Sequence, residues 1–80
     1  MKKEEIVKNV VYGIDDMILE SEDRKYALAL EDVFAGIEEK ELFESEEEFE
    51  KLVKEELKTQ KYNFYYDNEK YEPGTLVVEK

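Results

Sequence analysis

Carboxylates are the side chains with chemistry to offer in this chain. Ten of the twenty residues from Glu31 to Glu50 are acidic and only Lys40 opposes them, which leaves that stretch at −9. The sequence has no His and no Cys, so the usual general bases, thiolate nucleophiles and soft metal ligands are missing. Ser21 and Ser45 are its serines; with no imidazole to activate a hydroxyl, neither has the means to act as a nucleophile. Paired carboxylates do acid–base work only when a cleft holds them together, and no spacing here sets up such a pair.

Metal chemistry fails on spacing as well. Asp67 and Glu69 fit the first and third positions of a calcium loop, but Tyr71 stands at the fifth and Glu72 where the loop requires glycine. The Glu-x-x-His signature of di-metal helices has no His to complete it. The expectation is a protein that is not an enzyme and holds no cofactor or metal. What remains for the carboxylates is to present charge to a partner.

The net charge of −11 directs that presentation. Phosphate backbones demand clustered Lys and Arg, so direct nucleic-acid binding is not expected, and anionic membranes are disfavoured on the same ground. Basic protein surfaces are the natural complement. Acidity also promotes solubility with no further role. Heat adaptation builds balanced Glu/Lys networks, and twenty-three acids against twelve bases fit that poorly. The opening, Met1 to Asn9, has no apolar run resembling a signal peptide or membrane span, so a soluble cytoplasmic protein is expected.

Within the acidic run, Glu47 stands four residues before Lys51 and Glu50 four before Lys54, the favourable order for helical ion pairs. The surplus is Glu31, Asp32, Glu38, Glu39, Glu41, Glu44, Glu46 and Glu48, a set whose mutual repulsion calls for a compensating use. Imitation of nucleic acid is one. Duplex DNA carries a charge per roughly 1.7 Å, so eleven charges match about 19 Å of duplex, against a span of roughly 30 Å for a compact domain of this length. The match holds only if the acids gather on one face. Asp15, Asp16 and Glu20 would extend that face along the first helix. Tyr12 and Leu19 are an aromatic–aliphatic pair on the same side, suited to anchor a contact within an acidic rim.

The elements that must position these residues follow from periodicity. Eighty residues make one domain, spanning 1–80. Ile6, Val7, Val10, Val11, Ile14, Met17 and Ile18 fall within an arc of about 140° at 100° per residue, which predicts a helix from about Lys3 to Glu20. Ser21 then fits an N-cap with Glu22 and Asp23 behind it. A second helix would bury Tyr26, Leu30, Val33, Phe34 and Ile37 and end between Gly36 and Lys40. Tyr26, Leu28 and Leu30 also alternate with Ala27 and Ala29, so a strand over Lys25–Leu30 competes with that helix, which is the preferred reading. Ser45-Glu46-Glu47-Glu48 is a capping box opening a third helix that runs to about Lys58 and buries Phe49, Leu52, Val53 and Leu57.

Beyond Lys61 the period becomes two. Tyr62, Phe64 and Tyr66 read as one face of a strand, and strand packing explains this aromatic cluster better than base stacking, which needs basic surroundings. Glu72-Pro73-Gly74-Thr75 fits a type II turn, and Thr75–Glu79 a second strand. A short strand at Lys70–Glu72 stays open. The expected fold is α+β: three helices followed by a C-terminal antiparallel β-hairpin or short meander packed on them.

In charge and size the chain resembles the small acidic inhibitors that phages and mobile elements direct against restriction, CRISPR or chromatin-like proteins. That likeness implies a basic, nucleic-acid-binding protein as the partner. The alternative is a small structural or adaptor protein that binds a partner, or its own copy as a homodimer, through an apolar face, its acidity serving solubility.

Overall fold

The computed structural model describes residues 2–80. The chain order is α1 (Lys3–Glu20), β1 (Lys25–Ala29), α2 (Leu30–Ala35), a 3-10 turn (Lys40–Leu42), α3 (Glu46–Thr59), β2 (Asn63–Tyr66) and β3 (Thr75–Glu79). The three strands form an antiparallel sheet in the order β1-β3-β2. Helices α1 and α3 lie on one face of the sheet and α2 packs against α3. The α+β architecture with a C-terminal antiparallel hairpin is as expected. Its extents of 34 × 23 × 19 Å match a compact domain of this length.

The core is the meeting of two helical stripes with one sheet face. Val11, Ile14 and Ile18 of α1 and Phe49, Val53 and Leu57 of α3 close over Leu76 and Val78 of β3. Full burial of each such side chain contributes about 1.5–3 kcal/mol, and together they hold both helices to the sheet. Ser45 caps α3, its Oγ accepting from Glu48 N at 3.2 Å. The turn into β3 is closed by Thr75 N donating to Glu72 O at 3.1 Å. Gly74 there has φ +90°, the left-handed geometry a type II turn requires at that position. Lys70–Glu72 forms turn and bend, with no strand.

The second helix is a correction. The preferred reading extended it from Ser21, but Lys25–Ala29 is a strand and the helix begins only at Leu30. Ser21 starts no helix and instead ends one: its N–H closes α1 on Ile18 O at 3.1 Å, and its hydroxyl donates to Asp23. Arg24, at φ 60°, turns the chain out of helical geometry. The deciding force is long-range. Tyr26 and Leu28 lie opposite Val78 and Leu76 of β3, and this pairing with a strand fifty residues away overrides local helical preference.

Candidate functional site

The loop between α2 and α3 is held by three rings. Phe43 packs against Phe49 (5.3 Å between centroids) and Phe34 (6.1 Å), and Phe34 against Phe49 (5.3 Å). Phe43 is buried, so the loop around it is pinned from below while its carboxylates face water. Glu38, Glu41 and Glu44 are exposed and Glu39 is half-buried. Glu31 and Asp32 occupy the first turn of α2, where negative charge suits the helix dipole.

The clip also packs the end of α2 against the first turns of α3. Glu46 has its carboxyl pushed above the ordinary value of 4.5, first by partial removal from water and then by the negative charges of Glu31, Glu50 and Glu47. A carboxylate from α2 and one from α3, fifteen positions apart in sequence, therefore share one field. Like charge from both helices thus acts on Glu46.

Glu48 and Asp15, expected on the acidic face, have partners within the fold. Glu48 Oε1 accepts from Lys3 Nζ at 3.0 Å and from Glu44 N at 3.1 Å. Its carboxyl is held below 4.5, first by the Lys3 hydrogen bond and then by the Glu44 N–H. Asp15 accepts from the Tyr62 hydroxyl and pairs with Lys80 at 3.5 Å. Asp16 is exposed, and so are Tyr12 (56%) and Leu19 (55%), which no other element covers.

The outer face of α3 differs in character. A shallow depression there is lined by Glu47, Glu50 and Glu55, by Lys51, Lys54 and Lys58, and by Tyr66, so its charges balance. The expected Glu47–Lys51 and Glu50–Lys54 contacts do not close: among the described residues the ion pairs within 4.0 Å are Lys3–Glu48, Lys25–Glu79 and Lys80–Asp15. Lys54 instead lies over the Tyr66 ring, 4.7 Å from its centroid. A tyrosine ring face attracts an ammonium, and the half-exposed Tyr66 is the ring within its reach. The molecule thus has a charge-balanced side on α3 and a carboxylate-rich side at the α2–α3 junction.

A second concavity lies against α1. Asn9, Val10, Gly13, Ile14 and Met17 of α1 face Tyr26 and Leu28 of β1 and Val33 of α2. No charged residue lines it. The periodicity placed Val10 and Met17 in the core, yet Met17 is 43% exposed. A stripe of about 140° is wider than one neighbouring layer covers, and that excess width was the signal for a groove.

No family model matches the chain, and no curated protein or solved structure matches it. Among the described residues, no helix is long and apolar enough to cross a membrane, and no three carboxylates converge as a metal site. The two serines cap or turn the chain, as Ser45 and Ser21 do above.

Proposed function

We propose that this chain is a non-enzymatic, cytoplasmic, acidic protein-binding module that takes the place of DNA or RNA in the basic groove of a nucleic-acid-binding protein. It would be an inhibitor of the kind phages and mobile elements direct against restriction or CRISPR proteins. The observation that carries the reading is the exposure of Glu31, Asp32, Glu38, Glu41 and Glu44 on and beside a loop pinned by the buried Phe43. In sequence these carboxylates are opposed only by Lys40, whereas the outer face of α3 carries balanced charge. A field of one sign steers a basic partner and fixes its register. The Phe34–Phe43–Phe49 clip makes that field rigid, so that ordering it on binding costs little.

The test is capture of a partner from host lysate, followed by competition between this chain and labelled duplex for that partner. Reversing Glu38, Glu39, Glu41 and Glu44 together should weaken binding at least tenfold more than reversing Glu47 and Glu50, whose field the neighbouring lysines offset. Equal losses from both sets would place the contact elsewhere. The exposure of Tyr12 and Leu19 favours a second reading, an adaptor that binds a partner or its own copy through an apolar face. In that case Tyr12→Ala or Leu19→Ala would dominate and duplex would not compete.

A further inference from the structure

The sheet order leaves β1 as an edge strand, and its backbone pattern can be worked out. Lys80 N donates to Arg24 O at 3.4 Å, one step beyond the Lys25–Glu79 pair. Hydrogen-bonded pairs alternate along an antiparallel ladder. Tyr26 and Leu28 therefore turn their amides and carbonyls to β3, while Lys25, Ala27 and Ala29 turn theirs to the open edge. Lys25 N accordingly donates away from the sheet, to Asp23 Oδ1 at 3.3 Å. That leaves the Lys25 carbonyl, both Ala27 groups and the Ala29 amide facing outward.

Beside the opposite edge strand, β2, Lys58 of α3 lies 5.9 Å from the Phe64 centroid and Lys54 4.7 Å from that of Tyr66. At β1 the edge-facing residues are Lys25, which pairs with Glu79 at 3.7 Å, and two alanines, and the apolar groove opens beside the alanines. Val10, Gly13 and Met17 of α1 overhang Tyr26 and Leu28, and Val33 closes one end. A side chain on Gly13 would enter open space, with nothing within 4 Å of its added carbon.

We propose that an extended segment of a partner protein pairs with the free edge of β1 as a fourth strand, placing alternate apolar side chains in this groove. Such strand addition takes affinity from backbone hydrogen bonds and specificity from pockets for every second residue. Charge selects the segment. Lys25 on the strand is paired with Glu79 and Asp15 with Lys80, while the exposed Asp16, Glu20, Glu22, Asp23, Glu31 and Asp32 outnumber Arg24 on the elements around β1. The fitting occupant alternates apolar residues with Lys or Arg. A second copy of this chain is disfavoured, since each brings a net charge of −11.

The probe is a fluorescein-labelled peptide of alternating valine and lysine, with a serine-for-valine control of equal charge. Fluorescence anisotropy should show the valine peptide binding at least tenfold more tightly, and its binding should slow exchange of the Ala27 and Ala29 amides. Gly13→Phe, which fills the groove from an exposed helical position, should reduce that affinity at least tenfold while leaving duplex competition at the α2–α3 junction intact. Equal binding of the two peptides, unprotected amides or an indifferent Gly13→Phe variant would each overturn the proposal. So would a dimer of the free chain, seen by sedimentation and abolished by Ala27→Pro, because it would assign the edge to a second copy.

Discussion

Lys3, in the first turn of α1, donates to Glu48, in the first turn of α3, at 3.0 Å. The two helices therefore start at the same end of the molecule, and the Glu48 carboxylate sits near the positive ends of both dipoles. It also accepts from Glu44 N, one residue before the cap, whereas a capping box would return it to the Ser45 amide. One side chain thus links α1, the acidic loop and the start of α3. Ser45→Ala should cost about 1 kcal/mol in urea unfolding, and Glu48→Gln should lower the Tm and loosen the loop. An unchanged Tm in both variants would remove this junction from the account of stability.

Acid titration should separate Glu46 from Glu48. The folded-state pKa of Glu48 lies below 4.5, so its stabilisation is complete above 4.5 and is lost as pH falls through the lowered value. Glu46 has the opposite sign. Its ionised form is penalised at neutral pH, and the penalty lifts as pH falls through the raised value toward 4.5. Relative to the parent, Glu48→Gln should flatten the low-pH loss of Tm, and Glu46→Gln should remove a gain on mild acidification. Identical Tm–pH profiles for the two variants would contradict the assigned shifts.

Gly13 lies within α1 and its added carbon meets nothing within 4 Å. Gly13→Ala should therefore stabilise the protein by about 0.5–1 kcal/mol, since alanine loses less backbone freedom on entering a helix. A destabilised variant in urea unfolding would show that the groove tolerates no added atom, and would count against a docked strand.

Phe43→Ala should be the most disruptive change near the acidic junction, costing about 3–5 kcal/mol if the surrounding rings do not collapse into the space. It removes two of the three ring contacts that hold the loop. Amide exchange across Glu38–Glu44 should accelerate more than exchange in β3. Uniform acceleration throughout the chain would mean that the loop unfolds only with the whole domain.

Much of this architecture is legible because its determinants are local. The bounds of α1 follow from its apolar stripe, the start of α3 from Ser45 and Glu48, and the last turn from Pro73-Gly74. Each is a short-range constraint carried within a few residues. The identity of Lys25–Ala29 is not of this kind. Ala27 and Ala29 suit a helix, and only pairing of Tyr26 and Leu28 with Val78 and Leu76 makes the segment a strand. Phe43 was missed for a related reason. It falls off every helical stripe, and its burial depends on rings supplied by α2 and α3.

The sequence by itself determined the sign and density of charge, the exclusion of imidazole and thiol chemistry, and the carboxylate surplus from Glu31 to Glu48. These depend on residue type alone. Tertiary structure decided which carboxylates remain on the surface and where they stand. It tied Glu48 to Lys3 and Asp15 to Tyr62 and Lys80, brought Glu46 into the field of Glu31, and left Tyr12, Leu19 and the edge of β1 uncovered. The physical reason is that a side chain's charge is fixed by its chemistry, whereas its field and exposure depend on neighbours that only long-range packing brings within reach.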